Sequence, residues 1–153
     1  MLNRRKSIGF IAAAALALLS SCSPAPQLRV HDAVLVLNPV DQNPSALYFN
    51  VLGGDKDVWL LNVVSNSVIR SEMHESKMDP KTGAMTMDKI DRVKVPAKGK
   101  VEFKRGGKHV MMWGVNTIPR KTGEIEVTFI FSTGEQIEVT ADVQKADGSP
   151  ANQ

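Results

Sequence analysis

Residues 124–143, EIEVTFIFSTGEQIEVTADV, decide the fold class. From Ile125 to Phe131 apolar residues occupy alternate positions, which is the period of a strand that buries one face. Thr133-Gly134 follows as a turn signal, and a second strand-like run completes the stretch. The pattern is typical of an antiparallel β-hairpin.

Short strand-like runs of the same kind cover the chain upstream, separated by turns that contain Gly, Pro and Asn. They are VHDAVLVLN (30–38), SALYFNVLGG (45–54), DVWLLNVVS (57–65), SVIRSEMH (67–74) and VEFKRGGKHVMMWGV (101–115). Gly106-Gly107 predicts a two-residue hairpin within the last of these. Beyond residue 21 no segment has the pattern of a long amphipathic helix. We therefore expect an all-β barrel or sandwich of about seven to eight mostly antiparallel strands.

The amino-terminal residues have the pattern of an export signal. Arg4, Arg5 and Lys6 precede an apolar run, residues 8–19, that is short for a membrane span. Leu19-Ser20-Ser21-Cys22 resembles a lipobox, in which the chain is cut before a cysteine that becomes lipidated. The expected segments are a signal peptide at 1–21, a lipidated Cys22 and short tether at 22–29, one domain at 30–144, and a polar, disordered tail at 145–153.

Lipidation at Cys22 would anchor the protein on the periplasmic side of a membrane, and Ser23, by resemblance to enteric lipoproteins, favours the outer membrane. Cys22 is the only cysteine, so its acylation excludes disulfides, thiol catalysis and thiolate metal ligands. The formal charge of +3 comes from the basic residues of the signal, and the rest of the chain is neutral. No nucleic-acid partner is therefore expected.

Methionine and histidine are concentrated in one part of the chain. Six of the seven methionines and two of the three histidines lie within residues 73–112. On a strand, positions i and i+2 share a face, so His109 projects with Met111. Met85 likewise shares a face with Met87. Met78 and these two lie in the hydrophilic segment ESKMDPKTGAMTMDK, where a place in the core explains them poorly.

His74 and His109 together with two thioethers would form a soft, uncharged donor set. Such a set suits Cu(I), whereas hard ions prefer oxygen and structural zinc prefers thiolate. The residue pattern leaves Met85 and Met87 open as alternatives. Met112 and Trp113 are assigned to the core or to the surroundings of the site, and the distant His31 to neither. Without a cysteine ligand a blue-copper centre is excluded, so we expect a copper carrier and not an electron-transfer protein or an enzyme.

The same segments resemble the periplasmic copper chaperone family PCu(A)C. EMHESKMD, GAMTM and VKVPAKGKVEFKRGGKHVMMWGV follow the family motif of a histidine, a distant methionine, and His-x-Met after a Gly-Gly turn. The resemblance implies a cupredoxin-like Greek-key β-barrel that binds Cu(I) at one end. Carried over by residue, the ligands are His74, Met87, His109 and Met111, with Met85 and Met78 as weaker candidates. It also implies delivery of copper to the Cu-A centre of a terminal oxidase, through the oxidase subunit or a thiolate-bearing assembly chaperone.

Two other classes of function remain open. A copper buffer or resistance lipoprotein without a dedicated recipient would use the same ligands, but its deletion would leave respiration unchanged. A structural or adhesion sandwich with a fortuitous methionine cluster would bind no Cu(I). Metal analysis distinguishes the structural sandwich from the copper carrier. Oxidase activity in low copper distinguishes the copper buffer from the carrier.

Overall fold

The computed structural model describes residues 25–153, so the expected signal peptide and Cys22 lie outside the described part of the chain. The strands are β1 (Arg29–Val36), β2 (Ser45–Leu52), β3 (Val58–Val64), β4 (Arg70–Met78), β5 (Met85–Lys89), β6 (Val93–Val95), β7 (Lys100–Phe103), β8 (Lys108–Trp113), β9 (Glu124–Phe131) and β10 (Gln136–Gln144). One short helix, α1 (Thr117–Thr122), lies between β8 and β9. No helix within 25–153 has the length and apolar character needed to cross a membrane.

The all-β prediction is confirmed, but the described residues form ten strands instead of the expected seven to eight. The additional strands are short. β6 has three residues and β7 has four, and all five residues of β5 are exposed. A strand that is very short or buries neither face leaves no clear hydrophobic alternation in the sequence.

The ten strands form one curled sheet in the order β5-β4-β8-β7-β2-β1-β10-β9-β3-β6. Neighbours run antiparallel, except that β1 pairs with β10 in parallel and β7 meets β8 in parallel at one position. The curl brings β4 towards β3, where the Ser71 hydroxyl donates to the Val63 carbonyl. The sheet is therefore a mixed half-barrel, in agreement with the expected cupredoxin-like class.

The core lies inside the curl. β9 buries every second residue from Ile125 to Phe131, and β10 pairs with it beyond the turn at Thr133-Gly134, as predicted. Phe49 stacks on Phe103 with ring centroids 4.1 Å apart and meets Phe129 edge to face at 4.7 Å. Ring pairs of this kind contribute about 0.5–1.5 kcal/mol beyond their burial.

The hairpin predicted at Gly106-Gly107 is wrong. β7 and β8 both run antiparallel to β2, β7 along residues 49–52 and β8 along residues 45–47. β7 and β8 therefore run in the same direction, one after the other, along the same edge of β2. Between them the Gly107 N–H donates to the Lys104 carbonyl and closes a turn. Gly106 adopts a φ of 73°, which glycine tolerates without strain. The glycines mark a turn, but the pairing with β2 decides that the chain continues in the same direction.

Residues 145–153, the predicted tail, form a turn against the end of β10 in the structure. The Lys145 N–H donates to the Ser149 carbonyl, and the Ala151 N–H donates to the Val143 carbonyl. Ala151 is partly buried against the core. A tail of small polar residues has no hydrophobic period, so contacts made by its backbone cannot be read from composition.

Candidate metal centre

β4 and β8 lie side by side, and each carries one of the two histidines. Their register places His74 directly opposite His109, with ring centroids 6.1 Å apart and ring planes inclined by 28°. Two nitrogens bound to one ion at about 2 Å each are at most about 4 Å apart. The two rings are therefore close enough for one ion to be shared between them.

The histidine pair lies on the face of the sheet that is turned away from the core. Met73 and Val110 precede and follow the two histidines in sequence and are buried in the core, so strand alternation sends the imidazoles to the other face. His74 is the fifth of the nine residues of β4. His109, by contrast, is the second residue of β8, next to the turn at Gly106-Gly107, and the site at one end of the barrel stays a prediction.

The β4–β5 hairpin carries Met87 to the same face. Met87 pairs with Ser76, which is two residues from His74 along β4 and therefore shares its side of the sheet. The turn of the hairpin is held by the Asp79 carboxylate, which accepts a hydrogen bond of 2.8 Å from the Lys81 N–H. This bond is the largest cause of the lowered pKa of Asp79. The turn thus sets the register that places Met87.

Three of the four predicted ligands, Met87, His109 and Met111, line one shallow cavity of about 280 Å³. His109 is only 6% exposed, whereas Met87 is 53% exposed. The cavity therefore has a fixed imidazole inside and a freely moving thioether at the surface. His74 lies beside His109 and not in the cavity wall, with its side chain 14% exposed. The other lining residues are Pro44, Ser45, Ala46, Tyr48, Ser76, Arg105 and Gly106.

Each histidine has one ring nitrogen held by an acceptor. In His109, Nδ1 is 3.0 Å from the Gly107 carbonyl oxygen. Because a carbonyl only accepts, Nδ1 carries the proton and Nε2 keeps a free lone pair. Metal-binding histidines commonly have this arrangement, in which the second nitrogen donates to a carbonyl or carboxylate.

His74 shows the same arrangement with the two nitrogens exchanged. Its Nε2 is 3.3 Å from Oε2 of Glu72, so the carboxylate accepts from Nε2 and the lone pair is on Nδ1. This Nδ1 is buried and has no hydrogen-bond partner. Leaving a buried acceptor unsatisfied costs about 1–3 kcal/mol, a cost that a bound ion would remove. The donor set therefore fits a soft cation.

Glu72 is a part of the centre that sequence reasoning missed. Its pKa is lowered, first by the hydrogen bond from His74 and then by the cations nearby. Arg70 and Lys89 lie 3.6 Å and 3.4 Å from its Oε1. Its spacing could have indicated this role, because Glu72 is two residues before His74 and therefore shares its face on a strand.

The other candidates lie outside the cavity. Met78 and Met85 are opposite each other at the outer end of the hairpin, so the structure brings Met87, and not Met85, to the cavity. Trp113 is beside the site, with its ring centroid 6.5 Å from that of His74. Met112 is fully buried in the core.

Soft donors are concentrated at this one place in the described chain. Two larger cavities, of about 790 and 430 Å³, have neither histidine nor methionine in their walls. Within residues 25–153 no three side chains of His, Cys, Asp or Glu are grouped as a metal site. The candidate centre therefore depends on combining imidazole with thioether, and its four ligands stay a prediction.

The curled half-barrel has the fold of PCuAC domains. The copper-bound PCuAC domain from PmoF2 has the same fold, with a TM-score of 0.63 at 17% identity over 80% of this chain and 97% of that one. The Cu(I) form of DR1885 from Deinococcus radiodurans has a TM-score of 0.59 at 19% identity over 83% of each chain. The apo form of DR1885 has a TM-score of 0.57 at 21% identity over 97% of this chain and 99% of that one.

The family model of the putative LpqE-like lipoproteins matches residues 28–143, and the chain belongs to this family. Together with the fold, this match confirms the resemblance to the PCu(A)C family that the sequence motif indicates. No curated protein matches the sequence.

Proposed function

We propose that the protein is a metallochaperone that carries Cu(I) and binds it through His74, Met87, His109 and Met111. The observation that carries the proposal is the histidine pair. Each ring has one nitrogen occupied by an acceptor and the other free, and the free nitrogen of His74 is buried without a partner. Copper-bound domains of the same fold support it.

The geometry suits an ion that must be held and then released. The two imidazoles are positioned by their hydrogen bonds and would hold Cu(I) in place. Met87 is exposed on a hairpin strand, so its neutral, weakly bound sulfur is the ligand that an incoming donor would replace first. Each ligand exchange leaves copper monovalent and requires no catalysis by the protein.

The proposed place of action is the periplasmic side of a membrane, through a lipid on Cys22, with the outer membrane favoured by Ser23. The proposed recipient is the Cu-A centre of a terminal oxidase, reached through the oxidase subunit or a thiolate-bearing chaperone. A thiolate binds Cu(I) more strongly than a thioether, which gives the transfer its direction. Deletion should lower oxidase activity in low-copper medium, and added copper should restore it. Normal oxidase activity together with increased copper sensitivity would favour the buffer instead.

The ligand assignment is tested by Met111→Leu, with Met112→Leu as the matched control. Leu keeps the volume of Met at a cost below about 1.5 kcal/mol, so both variants should fold. Competition with a chromophoric Cu(I) chelator should show weaker binding for Met111→Leu only. Equal affinity in the two variants would remove Met111 from the ligand set. Absence of Cu(I) binding by the wild-type protein would overturn the proposal.

A further inference from the structure

The β4–β5 hairpin extends beyond the rest of the sheet. β4 pairs with β8 from Arg70 to Glu75, whereas β5 pairs with β4 from His74 to Met78. All five residues of β5 are exposed. The outer part of the hairpin therefore has one neighbouring strand and buries no apolar face, so its side chains are free to move.

Two methionines face each other at this outer end. Met78 is directly opposite Met85, and the two are 66% and 54% exposed. Directly opposed residues have Cβ atoms about 4.5–5.5 Å apart, and methionine is flexible enough to adjust. Two sulfurs that each bind one ion at about 2.3 Å are at most about 4.6 Å apart, which this pair can reach.

Packing does not account for this pair. Both side chains stay more than half exposed, so neither gains the full benefit of the hydrophobic effect. An apolar cross-strand pair contributes about 0.2–1 kcal/mol. β-branched or aromatic residues would give the same contribution and have a higher strand propensity than methionine. The property that methionine alone brings to this surface is a soft sulfur donor.

The pair is also aligned with the candidate centre. Met78, Ser76 and His74 are successive alternate residues of β4, so their partners Met85, Met87 and His109 lie on the same face. Met78 is four positions after His74 in β4, a distance of about 13 Å at about 3.3 Å per residue. Met87 lies between the two, which gives a line of thioethers from the tip of the hairpin to the imidazoles.

We propose that Met78 and Met85 form a second, outer site for a soft monovalent ion, where Cu(I) is captured before it passes by way of Met87 to the histidine pair. This inference rests on the proposed function. Two thioethers form a weaker set than one that includes two imidazoles, so the inner centre fills first and the outer site exchanges faster. The transfer is a ligand exchange, in which copper stays monovalent and the neutral sulfurs neither gain nor lose a proton.

The test is a titration of the full-length Cys22→Ser chain, in which no thiolate competes for the ion, labelled with ¹³C at the methionine methyl groups, with Ag(I) as a soft ion that does not change oxidation state. The first equivalent should shift the methyl signals of Met87 and Met111. Further Ag(I) should shift those of Met78 and Met85. The signal of the buried Met112 should stay unchanged throughout and serves as the internal reference.

The double variant Met78→Leu/Met85→Leu should lose the second equivalent and keep the first. Leucine preserves the apolar pair, so the loss would come from the sulfurs. Thr86→Val is the matched control, because Thr86 lies between Met85 and Met87 in β5 and faces the other side of the hairpin. It should keep both equivalents.

The outcomes separate the two proposals. Shifts at Met87 and Met111 with none at Met78 and Met85 would overturn the outer site and leave the proposed function standing. Shifts at Met78 and Met85 alone would overturn the four-ligand centre and, with it, the inward transfer. The titration of the Cys22→Ser chain decides this even if the double variant does not fold.

Discussion

The β9–β10 and β4–β5 hairpins are both antiparallel and both turn through a glycine, Gly134 in the first and Gly83 in the second. β9 buries every second side chain in the core, whereas β5 buries none. The first hairpin therefore contributes packing, and the second presents movable side chains to solvent. Core packing and the proposed metal chemistry therefore lie in different hairpins of one sheet, so a change in one hairpin should leave the other's property nearly intact.

Phe129→Ala should have the largest effect on stability. Phe129 is fully buried and meets Phe49 edge to face, so its removal should lower the free energy of unfolding by about 3–5 kcal/mol. Met85→Leu, on the exposed hairpin, should change it by less than about 0.5 kcal/mol. Urea unfolding measures both. Similar losses in the two variants would contradict the division between the hairpins.

His109→Ala should have the largest effect on Cu(I) affinity. If His109 is a direct ligand, as proposed, its removal should cost more than the roughly 10–100-fold that supporting partners contribute. His31→Ala is the control, because His31 lies on β1 and its Nδ1 bonds Asp32 at 2.7 Å, away from the cavity. Chelator competition measures both. Wild-type affinity in His109→Ala would show that the copper site is elsewhere.

Glu72→Gln should weaken Cu(I) binding by about 10–100-fold with little effect on the fold. The amide is a poorer acceptor for the His74 Nε2–H, so the tautomer that leaves Nδ1 free is less favoured. ¹⁵N spectra of the imidazole report the tautomer, and chelator competition reports the affinity. An unchanged tautomer with unchanged affinity would limit Glu72 to a surface role.

The smallest expected effect concerns Glu102, an exposed carboxylate on β7. Lys100 and Lys104 donate to it at 2.8 and 2.7 Å and lower its pKa from 4.5 to about 2. Because the pKa is lower in the folded state, this stabilisation is present above pH 4.5 and is lost as the pH falls towards 2. Because Glu102 is exposed, screening by solvent keeps its contribution to the free energy of unfolding small.

The measurement for Glu102 is the urea midpoint followed from pH 4.5 to 2 in the wild type and in Glu102→Gln. The variant should lose slightly less stability over that interval. Its Cu(I) affinity at neutral pH should equal that of the wild type, which makes it a charge-matched control for Glu72→Gln. A larger loss in the variant would contradict the lowered pKa.

Local pattern predicts the parts of the molecule that depend on neighbours in sequence. The alternation from Ile125 to Phe131 predicted β9, and Thr133-Gly134 predicted its turn. The spacing of His109 and Met111 correctly predicted a shared face. Gly106-Gly107 predicted a hairpin wrongly, because β2 and not the turn sets the direction of β8. β5 was not among the predicted strand-like runs, because a fully exposed strand has no hydrophobic alternation.

An all-β domain and a set of soft donors follow from local pattern, since strand period and ligand chemistry are properties of single residues and their spacing. The place of β4 beside β8 comes from the folded sheet, and this register sets His74 opposite His109. The folded sheet also decides which nitrogen of each ring is free, because Glu72 and the Gly107 carbonyl occupy the other. Pairing between distant strands depends on the whole sheet, so it cannot be read from the spacing of residues along the chain.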